Sequence, residues 1–480
     1  MAALSQGSSG AAVTALQQQL IGLGFLAGAA DGVFGSLTAL ALRDLQRRLL
    51  LQPDGVVGPR TAAALAAAAS ASPLPTSPYG RLVRQGQELA DRGLAHEERL
   101  PILDRGLDAS PFRAEPPAYA ARLAASPSPL ALRPYPDPAG TFTPYPAHGV
   151  LPAIVSGRDG RGGLEFLSEE VTQACLCVAS HGADQPLRVR WYGRRALEDN
   201  VQFWSATKFV AALHLVCQAN RRSPGTAIGA TQVRPRDGSP PEPFAALFRA
   251  MVTYEPREAD GGGSNRIAYL FKQLLNAAEP DVQTWLRALS GNARALLLGW
   301  YGQWRTPLNR YGAGAELVGP GGVLVGHRPL PRTRNLVSAH DLVRMLTLLA
   351  WHPQLEPGRR LPGAQWSSLA TLVEGLGHDP ARYLDRALTE LGLVGTVGEP
   401  VILSKLGYGA ETGDGAIDAL TYVACASFRD RRHRPARQRS FALALRIPTR
   451  PGLATALRHD ARMAAEVSEI VRRVFAEEFT

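Results

Sequence analysis

Apolar positions in the first 66 residues recur three and four apart, the spacing that lines one face of a helix. Val13, Leu16, Gln17 and Leu20 mark one short helix, and Leu37, Leu40, Ala41, Leu45 and Leu49 mark another. The run Asp31-Gly-Val-Phe-Gly-Ser-Leu-Thr38 recurs as Asp54-Gly-Val-Val-Gly-Pro-Arg-Thr61. Each copy joins an Asp-Gly turn to a second glycine and then to a helix start. The pattern predicts a three-helix unit over 1–66 with a small core.

The periodicity then lapses across 67–150, which reads as a connector. AAAASASPLPTSP is linker-like, and 81–106 reads as a charged helix. Eleven prolines follow between Pro111 and Pro152, with Tyr135, Phe142 and Tyr145 among them. Such density favours stiff extended chain, either a spacer wrapped on the surface or a rim beside a cleft.

From 151 to 480 the pattern is that of one larger domain. Val171–Val178 and Leu187–Tyr192 read as antiparallel strands, a helix begins at or near Ser205, and a mostly helical middle runs to about 395. Val401–Leu406, Leu420–Ser427 and Phe441–Ile447 read as strands, the last alternating cleanly. Met463, Val467, Ile470, Val471 and Val474 share one face of a final helix. Strands first, helices between, strands and a helix last: both ends of the domain share one sheet.

Composition narrows the function classes. The chain of 480 residues is 45% hydrophobic and 20% charged, as in globular proteins. It holds no run of 18 apolar residues long enough to span a bilayer. Its opening MAALSQGSSG shows no signal peptide. Net charge is 52 − 42 = +10, carried almost wholly by arginine, since Lys208, Lys272 and Lys405 are the only lysines. A basic surface suits anionic partners, but no basic cluster carries the interleaved aromatics of nucleic-acid grooves. The RDRRHRPARQR run at 429–439 reads as a solvated loop. Cys175, Cys177, Cys217 and Cys425 read as small buried hydrophobes, and neither they nor the ten scattered histidines have zinc-ligand spacing. No metal and no cofactor are expected.

Two short motifs carry candidate chemistry. In Ser205-Ala-Thr-Lys208, one helical turn puts hydroxyl and amine on a common face. A serine needs a base to become a nucleophile, and a desolvated lysine can serve. Lys405-Leu-Gly407 lies on a strand near the end of the sheet. In a chain almost without lysine, two of the three sit in these motifs. The bland readings are a cap for Ser205, a solvated helix charge for Lys208 and an exposed edge-strand charge for Lys405. Asn265 and Ser264, after a triple glycine, read blandly as helix caps. The glycine-rich YGAGAELVG and GPGGVLVG read as loops.

The 1–66 unit resembles the peptidoglycan-binding module of cell-wall hydrolases, carried by the two DG-x-x-G-x-x-T copies and the G-x-x-G-x-x-V-x-x-L-Q-x-x-L run from Gly7 to Leu20. Roughly 165–480 resembles the penicillin-recognising serine hydrolases, serine β-lactamases and D,D-peptidases, carried by the S-x-x-K, S-x-N-like and K-x-G segments in order with the Ser338–Leu349 helix. The fold so implied is α+β: a small three-helix domain, a Pro-rich connector, then an antiparallel sheet flanked by helices with a helical subdomain. The resemblance implies that Ser205 is acylated, Lys208 is its base, Asn265 holds the substrate amide, and Lys405 helps bind a carboxylate and shuttle protons. It also implies an oxyanion hole from the N–H groups of Ser205 and Tyr408, with Gly407 beside the substrate.

This chain departs from the family pattern in three places. Gly263 stands where the family has a second serine, and Ser264 is shifted by one. Leu406 replaces the hydroxyl that usually follows the lysine. The candidate water-activating loop, Arg305–Asn309, has no glutamate. These departures imply an acyl-enzyme that forms slowly and persists. The implied partners are peptidoglycan and a small-molecule or peptide substrate, and the implied location is the cell envelope or the secreted fraction. The alternative is a wall-binding protein whose second domain binds a ligand without catalysis.

Overall fold

The computed structural model describes residues 4–23, 25–26, 29–49, 51–70, 77–91, 100–125, 132–156, 163–182, 185–255, 263–301, 310–331, 333–410, 418–449 and 453–480.

Three helices, Ala11–Gly22, Ser36–Arg48 and Pro59–Ser70, form the N-terminal unit around Val13, Leu16, Leu20, Phe34, Leu42, Leu45 and Leu65. A core this small needs polar clamps, and the repeat supplies two. The Gln17 amide donates to Asp31, the Val33 carbonyl and Thr38, and accepts the Gly32 N–H. The Gln46 amide donates to Asp54, the Val56 carbonyl and Thr61, and accepts the Gly55 N–H. Gly32 and Gly55 have φ of 72° and 74°, a conformation that favours glycine. Each Asp-Gly turn is thus tied to the helix before it.

The connector is not a surface spacer. Helix Pro78–Asp91 lies against the C-terminal helix Leu453–Phe475, so close that a Cβ at Gly86 would fall 2.4 Å from that of Ala461. The charged helix expected over 81–106 is described as Pro78–Asp91, and 92–99 lie outside the described residues. Turns follow at 101–109, where the Asp460 carboxylate accepts the N–H groups of Ile102 and Leu103. Leu132–Arg133, Thr143–Pro144 and Ile154–Val155 pair with strands of the main sheet. Tyr135, Phe142 and Tyr145 are buried. Prolines cannot sit in a central strand, but two-residue edge pairings tolerate them, and the aromatics between them drive the segment inward.

The main sheet runs, in spatial order, Val397–Ala410, Asp418–Asp430, Ala436–Thr449, Gln173–Gly182 and Gln185–Arg194, all antiparallel neighbours. It is buried on both faces. Cys175, Cys177, Val423, Cys425, Ala442 and Ala444 face the helical subdomain. Leu176, Val178, Ala424, Leu443 and Leu445 face the C-terminal helix through Met463, Val467 and Ile470. The four cysteines are buried thiols, as their small apolar surroundings predicted. Helix Ala339–Ala350 crosses the first face, entered by a capping box between Ser338 and Asp341.

Two expectations are corrected. The 429–439 run is the end of a hairpin rather than a solvated loop. Arg439 is buried and pairs with Asp430 and Glu477, and Asp430 is held down at about 2 by hydrogen bonds from Arg432 and Arg439 that outweigh its burial. The glycine-rich segments, expected as loops, are the strands Ala315–Gly319 and Gly322–Val325 of a second, four-stranded sheet. Glycines at the hairpin turn masked the alternation.

Candidate active site

Ser205 lies on a single 3₁₀ turn, Trp204–Thr207, and the α-helix begins at Lys208. The sequence placed the helix start slightly earlier. Trp204 at φ 49° redirects the chain into this turn. The strand carrying Lys405 passes directly behind it. At Gly407 a Cβ would lie 2.3 Å from Thr421 Oγ1, 2.4 Å from the Phe203 carbonyl and 2.8 Å from the Ala206 nitrogen. At Gly409 it would meet the Trp204 ring at 2.5 Å. Bare backbone at these positions lets strand and turn touch. The same approach brings the Tyr408 segment beside the turn that carries Ser205.

Lys208 is fully buried, which removes the reading of a solvated helix charge. Its Nζ donates to Ser264 Oγ at 2.8 Å and Asn265 Oδ1 at 2.7 Å. Ser264 in turn donates to the Met251 carbonyl at 2.6 Å. Both residues start helix Gly263–Gln273, and both turn to the lysine. Burial pushes the Lys208 amine well below its usual value, and the charges of Lys405 and Lys272 push it further.

Lys405 is also fully buried, although its strand is at the sheet edge. Its Nζ donates to the Tyr254 hydroxyl at 2.7 Å and lies 3.4 Å from Asp379 Oδ1. Burial lowers it to about 8, with Asp379 pulling the other way.

The sequence missed Tyr254. It ends helix Phe244–Thr253 in the left-handed region, φ 59° and ψ 24°, a conformation that costs a non-glycine residue of order 1 kcal/mol. Its hydroxyl donates to the Leu406 carbonyl at 3.2 Å, and the Ser205 side chain lies near enough to ease its ionisation slightly. Burial holds the phenol protonated well above its usual range. Lys405 and Tyr254 therefore meet at one oxygen beside Ser205, and Lys208 Nζ lies 5.0 Å from the Tyr254 ring centroid.

The third lysine converges on the same place. Lys272 is fully buried, donates to the Gly299 carbonyl and Asn335 Oδ1, and lies 4.2 Å from the Tyr301 ring centroid. The Tyr301 ring also lies 5.5 Å from Lys208 Nζ, and its hydroxyl meets Thr207 Oγ1 at 2.9 Å. The signal that could have found Lys272 was lysine scarcity itself. The Arg305–Asn309 segment lies outside the described residues. Among the described residues no cluster of three or more histidine, cysteine or carboxylate side chains could hold a metal.

Residues 9–65 match the family described as "Putative peptidoglycan binding domain". No curated protein matches the chain. Similar solved structures include a β-lactamase from Xanthomonas campestris pv. campestris, 18% identical over 64% of this chain and 94% of that one, TM-score 0.37. A β-lactamase from Streptosporangium roseum is 15% identical over 65% and 97%, TM-score 0.37. Penicillin-binding protein 2B from Streptococcus pneumoniae is 12% identical over 63% and 55%, TM-score 0.24. The two-part organisation read from the sequence, a three-helix unit and an α+β domain, is present in the chain. Among the described residues no helix is long and apolar enough to cross a membrane.

Proposed function

We propose that the larger domain is a serine acyl-enzyme hydrolase or transpeptidase acting on peptidoglycan or related amide and ester substrates. The 1–66 unit anchors it to the wall at the cell envelope. The observation that carries the reading is the Tyr254–Lys405 hydrogen bond next to Ser205, with a fully buried Lys208 held by Ser264 and Asn265 one turn along.

A neutral amine has two N–H donors and one lone pair. Lys208 directs donors to Ser264 and Asn265, so in its neutral form the lone pair is left to take the Ser205 proton. Ser205 Oγ then bonds to the substrate carbonyl carbon, and the carbonyl electrons move to oxygen, where the N–H groups of Ser205 and Tyr408 would receive them. When the tetrahedral species collapses, the scissile bond breaks and the leaving group needs a proton. Tyr254, held protonated and touched by Lys405, is placed to give it, replenished from Lys208. Asn265 and the Gly407 backbone would flank the substrate amide.

Intact mass after exposure to a penicillin and to an activated ester tests this. One adduct is expected, mapping to Ser205 and absent in Ser205→Ala, with a burst followed by a low steady rate. No adduct with either reagent would favour a domain that binds without catalysis.

A further inference from the structure

The charge that the resemblance assigns to a substrate carboxylate is already matched inside the protein. Lys405 and Asp379 are both fully buried and 3.4 Å apart. Asp379 is itself fixed, accepting the Ser404 hydroxyl at 3.0 Å and the Leu406 N–H. Burial raises the Asp379 carboxyl, and the neighbouring Lys405 charge draws it back toward ionisation. An isolated buried cation would draw an anion strongly, but beside a fixed carboxylate its field falls away within a few ångströms.

The hydroxyls nearby are committed too. Leu406, where a hydroxyl would be expected, faces the core under the C-terminal helix. Thr421, opposite Gly407 on the next strand, donates to the Phe203 and Gly407 carbonyls at 2.8 and 3.0 Å.

We propose that Asp379 determines specificity by neutralising Lys405, so that the site takes neutral ester and amide acyl donors at least as well as their carboxylate-bearing counterparts. This rests on the acyl-enzyme reading above and narrows its substrate class.

A matched pair tests it: the thioester of phenylacetylglycine with mercaptoacetate, and the methyl ester of that compound. Ser205 Oγ displaces sulfur from the acyl carbon in both, and the departing thiolate takes up the proton. The pair differs only in the distal carboxylate. The full chain should acylate with the methyl ester at a rate equal to or above that with the acid. Asp379→Asn, which leaves Lys405 unmatched, should raise the acid-to-ester ratio by about tenfold or more. Ser404→Ala, which loosens Asp379, should move the ratio the same way by less. Because a ratio is read, a general loss of folded protein cancels. A full chain that favours the acid by more than about tenfold, or an Asp379→Asn ratio equal to that of the parent, overturns the proposal. Calorimetric binding of the same pair to Ser205→Ala reads the charge preference without chemistry. Binding without preference, but no Ser205 adduct in the parent, would keep the charge pairing and refute the acyl-enzyme reading.

Discussion

Tyr254 holds its hydroxyl 2.7 Å from Lys405 Nζ, and it does so from a left-handed backbone position that most residues avoid. The helix Phe244–Thr253 spends its last residue on aiming a phenol rather than on a glycine cap. Strain kept at such a point marks a side chain whose direction matters.

Tyr254→Phe is accordingly expected to leave the fold intact and to slow acylation of Ser205. Loss of a positioned proton donor typically costs 10²- to 10⁴-fold, so a drop of at least about a hundredfold is expected. Stopped-flow acylation with circular dichroism as the control measures it, and an unchanged rate would take Tyr254 out of the chemistry.

The acylation rate should rise with pH as Lys208 loses its proton, with a midpoint well below the usual lysine range. Lys208→Arg, which stays charged, should abolish it. Lys272→Met removes one positive neighbour, so the Lys208 midpoint should move up and the rate at pH 7 should fall. Lys405 and the rings of Tyr254 and Tyr301 remain around the amine in that variant. Carbon-labelled lysine in a chain with three lysines gives three assignable NMR signals, which follow each titration directly. A Lys208 signal with the same midpoint in both proteins would contradict the coupling.

Gly407→Ala should push strand and nucleophile turn apart, because the new methyl would meet the Phe203 carbonyl and the Ala206 nitrogen, both backbone. Overpacking of this kind costs about 1–3 kcal/mol, and acylation should fall with it. Gly395→Ala, with nothing within 4 Å of the new methyl, is the control. Thermal melts of the two variants would show equal losses if close approach were irrelevant.

Residues 1–66 alone should co-sediment with insoluble peptidoglycan, and the chain lacking them should bind it more weakly. Moderate salt screens the attraction of a basic protein for an anionic polymer. Binding that vanishes with salt, or survives the deletion, would remove the anchoring role. Gln46→Ala should destabilise this unit by about 1–3 kcal/mol, since the second Asp-Gly turn loses its clamp.

The regular elements were readable wherever one face is buried and the period is clean. Phe441, Leu443, Leu445 and Ile447 alternate, and the strand is there; Met463, Val467, Ile470 and Val474 share a face, and the final helix is there. The connector was misread because proline density reports only that helices and central strands are forbidden. It says nothing of Tyr135 and Tyr145 reaching the core from edge pairings. Arg439 was read as solvated because its partners, Asp430 and Glu477, come from two different elements. Ser205, Lys208 and Lys405 were legible as local motifs. Tyr254 and Asp379 belong to no short motif, and only the fold brings them to Lys405.

All three lysines lie in the interior around one serine, while arginine carries the positive charge elsewhere. The folded surface therefore offers amine-directed reagents no lysine side chain. Acylating probes or cross-linkers aimed at primary amines would find the terminal amine and little else until the chain opens. Reactivity toward them becomes a gauge of whether the interior that holds the lysines is closed.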